Sequence, residues 1–170
     1  MQIFSYSSKG HTRLNHHQIY HPHLDEMATT NFAEGSSPPV VLHVEDDCDF
    51  SAALKYRLEA HGVAVVRAFN GDDGIHQARI QKVDAILLDF DMPFTKGDEV
   101  LEALREYERT KYLPVIAITG GHDKRLKIRM KQLGASAHLI KPLKFDDLRK
   151  QLSRFIDILP APGSYPYSKP

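Results

Sequence analysis

Between residues 39 and 159, blocks of apolar residues alternate with segments in which apolar and polar residues are mixed. Five short blocks rich in β-branched or aliphatic residues each predict a strand, and they cover residues 39–44, 63–69, 84–89, 114–119 and 137–140. These blocks are almost continuously apolar rather than alternating, which is typical of strands that are buried on both faces of a sheet. The sequence therefore predicts a sheet covered on both sides.

The segments between the strands repeat apolar residues every three or four positions, which predicts helices with one buried face. The apolar positions are Phe50, Leu54 and Leu58, then Val100, Leu101, Leu104 and Tyr107, then Leu126, Met130 and Leu133, and finally Phe145, Leu148, Leu152, Phe155 and Leu159. We expect Gly62, Gly71 and Gly134 to lie where helices or turns end. Alternation of strand and helix predicts an α/β fold, a doubly wound five-stranded parallel sheet with helices on both faces.

The two ends of the chain lack such periodicity. Residues 1–38 are polar and carry five of the ten histidines, so we predict a disordered N-terminal tail. A metal-binding tail is the alternative interpretation of those histidines, and Met27 is an alternative natural start. Residues 159–170 contain four prolines and predict a disordered C-terminal tail, which leaves residues 39–158 as the folded domain.

Charge and cysteine content exclude several classes of protein. The 22 basic and 22 acidic residues balance, so no overall charge indicates binding to nucleic acid or to a membrane surface. No apolar run approaches the roughly 18 residues that a membrane-spanning helix needs. Cys48 is the single cysteine and has no partner for an internal disulfide. We therefore expect a soluble, cytoplasmic protein without membrane insertion.

Polar residues gather where the predicted strands end. Because functional groups of an open parallel sheet lie beyond the carboxyl ends of its strands, these residues should meet at one edge. They are Glu45 and Asp46 after the first strand, Asp89 and Asp91 at the third, Thr119 at the fourth and Lys141 after the fifth. Clustered carboxylates repel one another unless a cation is present, and Mg²⁺ prefers such oxygen ligands. Asp89 is then placed to act as a carboxylate nucleophile toward phosphorus, with Thr119 and Lys141 to bind phosphoryl oxygens.

Because these residues occur in the same order along the chain, the sequence resembles the response-regulator receiver domains of two-component phosphorelays. The resemblance covers about residues 39–158. The resemblance is carried by the segments "VVLHVEDD", "ILLDFDMPFTKG", "PVIAITG" and "ASAHLIKPL". It implies the flavodoxin-like receiver fold. It also implies a protein that accepts a phosphoryl group from a histidine kinase or histidine phosphotransfer protein and then binds a downstream protein whose identity the sequence does not give.

The resemblance also assigns roles to individual residues. Asp89 would be the phosphoacceptor, with Asp46, Asp89 and the carbonyl of Asp91 binding Mg²⁺ directly and Glu45 binding it through water. Thr119 and Lys141 would bind the phosphoryl group, and the peptide bond between Lys141 and Pro142 would be cis. His138 stands where receivers usually carry Tyr or Phe, and it would act with Thr119 as the conformational switch.

Several alternatives remain at this point. "DFDMP" also fits the Asp-x-Asp phosphatases, in which Asp91 would be a general acid, and a receiver-like scaffold that is never phosphorylated is the third possibility. Asp47 and Asp49 are expected to cap a helix rather than to bind metal. We expect Cys48 to be a small packed side chain rather than a redox switch. The cationic segment from Lys124 to Lys131 is either a solvated helix face or a surface that docks a partner.

Overall fold

A computed structural model describes residues 37–160, in which five strands and five helices alternate as predicted. The strands are β1 (Val40–Val44), β2 (Ala64–Ala68), β3 (Ala85–Asp89), β4 (Val115–Thr119) and β5 (Ala137–Ile140). The helices are α1 (Cys48–Glu59), α2 (Gly71–Ile80), α3 (Gly97–Glu106), α4 (Lys124–Gln132) and α5 (Phe145–Leu152). The predictions for the histidine-rich N-terminal segment, the start at Met27 and most of the C-terminal tail lie outside the described residues.

All strand pairs are parallel, and the strand order is β2-β1-β3-β4-β5. The chain therefore leaves β1 toward one edge of the sheet and returns at β3 to build the other edge. The change of direction falls between β1 and β3, where such sheets place their functional groups. The doubly wound α/β fold predicted from the sequence is confirmed. None of the helices within residues 37–160 is long and apolar enough to cross a membrane.

Each face of the sheet has its own apolar core. Helices α1 and α5 cover one face, where Val41, Leu87 and Ile118 pack against Leu58 and Leu148. Helices α2, α3 and α4 cover the other, where Leu42, Leu88 and Ala117 pack with Ala78, Leu104 and Met130. Successive strand residues point to opposite faces, so every residue of β3 and β4 is buried. Burial of each large side chain contributes about 1.5–3 kcal/mol to folding.

Polar caps start three of the helices. The carboxylate of Asp47 accepts hydrogen bonds from the backbone N–H groups of Asp49 and Phe50 at the start of α1. Asn70 and Asp123 cap α2 and α4 in the same way. The predicted capping role of Asp47 is confirmed, and Asp49 lies in the first turn of α1.

Two details of the sequence prediction are wrong. Gly71 begins α2 instead of ending an element, because its lack of a side chain lets Thr95 and Val100 pack against its backbone. Helix α5 ends at Leu152, short of the predicted Leu159, and the turn that follows buries Ile156 while Phe155 stays 38% exposed. Gly62 and Gly134 have positive φ after α1 and α4, as expected for glycines that end helices.

Candidate functional site

Three carboxylates meet at the carboxyl ends of β1 and β3. Glu45 and Asp46 follow β1, Asp89 ends β3, and one oxygen of each lies within 4.8 Å of the others. We call these three residues the acidic cluster. β1 pairs directly with β3 through Val44 and Leu88, so the backbone fixes this approach. Glu45 and Asp89 are buried while Asp46 is exposed, which leaves one open side. An all-oxygen donor set with an open side fits Mg²⁺.

Lys141 supplies the positive charge beside the acidic cluster. Its Nζ donates a hydrogen bond of 2.9 Å to Asp89 Oδ2 and lies 3.0 Å from both carboxylate oxygens of Glu45, with hydrogen-bond geometry to Oε1. Burial alone would lower the pKa of Lys141, but the hydrogen bonds to Asp89 and Glu45 raise it. Burial raises the pKa of Glu45 to about 7, and the hydrogen bond from Lys141 opposes that shift. The ammonium group thus pairs with both carboxylates, and burial remains the main cause of the raised pKa of Glu45.

His43 lies beneath Glu45 on the same face of β1, and sequence reasoning did not identify it. The ring is fully buried, with Nδ1 3.2 Å from Ser51 Oγ and Nε2 3.9 Å from Glu45 Oε2. Burial lowers the pKa of His43 to about 4, and Lys141 contributes in the same direction, so the ring is neutral at pH 7. The feature of the sequence that could have indicated His43 is that it is the single histidine in the otherwise apolar strand "VVLHV".

Asp91 has two separate connections to the site. Its backbone N–H donates a hydrogen bond of 3.0 Å to Asp89 Oδ1. Its side chain turns away from the acidic cluster, and Oδ2 accepts hydrogen bonds from the Thr119 hydroxyl, at 3.0 Å, and from the backbone N–H of Gly120. Thr119 is 3% exposed. The Asp91 carboxylate therefore ties the end of β4 to the loop after β3.

A cavity of about 190 Å³ connects Thr119 with His138. Both residues line it, together with Lys127 and Met130 of α4 and Ile140 of β5. His138 is half-buried, and burial together with the nearby Lys127 lowers the pKa of its imidazole. A larger cavity of about 480 Å³ lies at the opposite end of the sheet, next to Val40 and Asp84, far from the acidic cluster.

Other expected features near the site can be compared with the structure. The peptide bond between Lys141 and Pro142 is cis, as the resemblance implied. Cys48 is exposed, so its predicted packing was wrong: the first turn of α1 points this side chain outward. The cations of α4 are exposed, and Arg129 forms an ion pair with Glu102 of α3.

Comparison with known proteins agrees with this fold. The family model described as "Response regulator receiver domain" matches residues 41–153, and the chain belongs to that family. Protein PilH of Pseudomonas aeruginosa is 34% identical over 113 residues, which are 66% of this chain and 93% of PilH. The polar-differentiation response regulator DivK of Brucella anthropi is 32% identical over 106 residues, or 62% of this chain and 86% of DivK.

Receiver domains also occur inside much larger proteins. This chain matches 9% of the length of hybrid signal transduction histidine kinase D from Dictyostelium discoideum, at 31% identity. Among solved structures, chemotaxis protein CheY4 of Vibrio cholerae superposes with a TM-score of 0.67 at 28% identity, covering 70% of this chain and 99% of that one. The receiver domain of sensor histidine kinase PA1611 of Pseudomonas aeruginosa, solved with magnesium in its active site cleft, gives a TM-score of 0.65 at 27% identity, with 69% and 97% covered.

Proposed function

We propose that this protein is a single-domain response regulator that accepts a phosphoryl group on Asp89 from a histidine kinase or a histidine phosphotransfer protein. The observation that carries the proposal is the position of the Asp89 carboxylate. It lies at the point where the strand order reverses, between two further carboxylates and the ammonium group of Lys141. The arrangement combines a nucleophile with the charges that phosphoryl transfer needs.

The two oxygens of Asp89 have different partners, which suggests how the transfer proceeds. Oδ1 is oriented by the backbone N–H of Asp91, and Oδ2 accepts from Lys141. One of these oxygens attacks phosphorus as the bond between phosphorus and the donor histidine nitrogen breaks, and the electron pair of that bond stays on the imidazole. Lys141 then stabilises the charge on the phosphoryl oxygens.

Glu45, Asp46 and Asp89 are the residues that would hold Mg²⁺, with the carbonyl of Asp91 as a further oxygen. When bound, the ion would offset the repulsion between these carboxylates and an incoming phosphoryl group. Burial is the main cause of the raised pKa of Glu45, and the neighbouring Asp89 carboxylate adds to it, so a cation beside both groups would stabilise their charged forms.

Thr119 and His138 transmit the conformational change from the phosphorylation site to the protein surface. After phosphorylation the Thr119 hydroxyl turns from Asp91 to the phosphoryl group, the loop after β4 follows, and His138 moves within the cavity that it shares with Thr119. The exposed surface of α4 and β5 changes with it and binds a downstream protein. We place this chemistry in the cytoplasm, with self-dephosphorylation as the only turnover.

Phosphorylation of Asp89 is tested directly with a small donor. Incubation with acetyl phosphate and Mg²⁺ should add one acid-stable, base-labile phosphoryl group, detected as a mass increase of the intact protein. Asp89→Asn should abolish the increase, and removal of Mg²⁺ by a chelator should do the same. Failure of the unmodified protein to accept a phosphoryl group from acetyl phosphate or from phosphorylated histidine donors would instead support a scaffold that is never phosphorylated.

Asp91→Ala separates the receiver from an Asp-x-Asp phosphatase. In the receiver, residue 91 supplies backbone groups, so the variant should still be phosphorylated. In the phosphatase, the same change removes the general acid and should slow hydrolysis of a phosphomonoester by about 10²-fold or more. Sustained hydrolysis by the unmodified protein that disappears in Asp91→Ala would overturn the receiver proposal.

A further inference from the structure

Two buried polar atoms face each other beside the acidic cluster without forming a hydrogen bond. Within residues 37–160, His43 Nε2 and Glu45 Oε2 are the buried side-chain polar atoms that form no hydrogen bond. Glu45 Oε2 is still paired with the Lys141 ammonium group at 3.0 Å, so His43 Nε2 is the atom without a polar partner. His43 Nε2 and Glu45 Oε2 are 3.9 Å apart, about 1 Å too far for a hydrogen bond. Native proteins rarely leave a buried ring nitrogen such as His43 Nε2 unpaired, because it carries the cost of lost hydration. Glu45 Oε2 is the polar atom that this nitrogen faces, and it is engaged by Lys141 in the present structure.

The surrounding contacts favour one position for the proton of the His43 ring. Arg67 Nε donates a hydrogen bond of 2.8 Å to Ser51 Oγ, and an arginine nitrogen cannot accept one. Ser51 Oγ is therefore an acceptor toward Arg67, and its own hydrogen is available for His43 Nδ1, 3.2 Å away. With Nδ1 accepting, the neutral ring carries its proton on Nε2, the nitrogen that faces Glu45. The opposite tautomer would direct a nitrogen lone pair at a carboxylate oxygen.

Glu45 is held at present by Lys141, and that bond is shared. Lys141 Nζ contacts Glu45 and Asp89 at about the same distance, 3.0 and 2.9 Å. If Lys141 follows a phosphoryl group on Asp89, Glu45 Oε2 loses its ion pair with Lys141. The backbone N–H of Asp47 remains, but its hydrogen bond to Glu45 Oε1 is long, at 3.4 Å. Even with Mg²⁺ held by the acidic cluster, a buried Oε2 oxygen without a donor would be costly and would leave the carboxylate poorly oriented.

We propose that His43 is a positioning residue. Its Nε2–H donates a hydrogen bond to the Glu45 carboxylate when Lys141 turns from Glu45 to the phosphoryl group. Arg67 and Ser51 favour the required tautomer. The residues from Arg67 to Glu45 are therefore arranged as a hydrogen-bonded chain that leads from β2 through α1 into the acidic cluster and is open only between His43 and Glu45. A movement of about 1 Å completes it. The inference rests on the proposed function, because the proposed phosphorylation of Asp89 is the event that frees Glu45.

NMR of the His43 ring tests the proposal in the unmodified protein. In ¹⁵N-labelled protein at neutral pH, long-range ¹H–¹⁵N spectra should show the tautomer protonated at Nε2. Saturating beryllofluoride with Mg²⁺, which imitates the phosphoryl group, should then move the Nε2 proton downfield as the bond to Glu45 forms. A ring protonated at Nδ1, or an unchanged Nε2 proton while the amide of Asp89 shifts, overturns the inference. An unchanged Asp89 amide contradicts the proposed function itself, which separates the two failures.

His43→Leu tests the consequence for binding. The variant should bind beryllofluoride about tenfold more weakly, in the range expected when an outer hydrogen-bond partner of a metal site is lost. Affinity for Mg²⁺ alone should stay nearly unchanged, because Lys141 still holds Glu45 in that state. His76→Gln, which removes an exposed histidine of α2, is the matched control. Equal losses of both affinities would mean a merely structural role and would overturn the proposal.

Ser51→Ala provides a second variant in case His43→Leu does not fold. It keeps the His43 ring and removes only the partner of Nδ1. The ring should then populate both tautomers, and beryllofluoride affinity should fall while Mg²⁺ affinity does not. A ring that remains protonated only at Nε2 without the Ser51 hydroxyl would remove Arg67 and Ser51 from the proposed chain.

Discussion

Removal of the Asp91 carboxylate should make the protein bind a phosphoryl mimic more tightly. In the structure, Asp91 Oδ2 accepts hydrogen bonds from the Thr119 hydroxyl and from the Gly120 backbone. For Thr119 to bind a phosphoryl group on Asp89, its bond to Asp91 must break. Asp91→Ala removes that competing bond and also a negative charge near the incoming anion.

The size of the effect follows from the exposure of Asp91. A hydrogen bond to a charged group contributes about 1.5–3 kcal/mol when buried, but solvent competes at this exposed carboxylate. We expect a net contribution of about 1 kcal/mol, and because 1.4 kcal/mol is a factor of ten, beryllofluoride affinity should rise about fivefold. Titration with beryllofluoride at saturating Mg²⁺, followed by the amide resonances of the loop after β4, measures it.

Two further variants test the reasoning. Asp91→Asn retains an acceptor oxygen without the charge, so its affinity should lie between those of the unmodified protein and Asp91→Ala. In a Thr119→Ala background, Asp91→Ala should give only the part of the gain that comes from the lost charge. Unchanged or weaker beryllofluoride binding by Asp91→Ala would refute the competition between Asp91 and the phosphoryl group. An identical gain with and without Thr119 would show that charge repulsion alone explains it.

Three other predictions concern the switch, the packing and the N-terminal segment. Lys127→Gln should raise the pKa of His138, since burial still lowers it but the neighbouring positive charge is gone, and an NMR titration that finds no rise contradicts this contact. Gly97→Ala places a Cβ 2.6 Å from the backbone just after β3 and should destabilise the fold by about 1–3 kcal/mol in urea unfolding. Gly121→Ala, with no atom nearer than 4.0 Å, is its control, and equal stability of the two variants would be inconsistent with the packing. Deletion of residues 1–26 should leave the thermal midpoint within about 5 °C, and a larger drop would mean that the segment packs on the fold.

Much of the fold could be predicted from the local sequence, because strands that are buried on both faces consist almost entirely of apolar residues. Strands β3 and β4 are buried at every position and read as unbroken apolar runs. Helix α2 was harder to recognise because its buried positions are mainly small, namely Gly71, Gly74 and Ala78, and carry little hydrophobic signal. The end of α5 was misjudged because Phe155 continues the helical period although the chain has already turned.

The sequence by itself determined the α/β fold and the set of residues at the candidate site. Polar residues that end buried parallel strands must emerge at one edge, so Glu45, Asp46, Asp89, Thr119 and Lys141 could be grouped without coordinates. Their individual partners depend on side-chain rotamers and on contacts between residues far apart in the chain. Only the tertiary structure decided that Asp91 binds Thr119, 28 positions away, and that His43 faces Glu45 while Ser51 and Arg67 orient its ring.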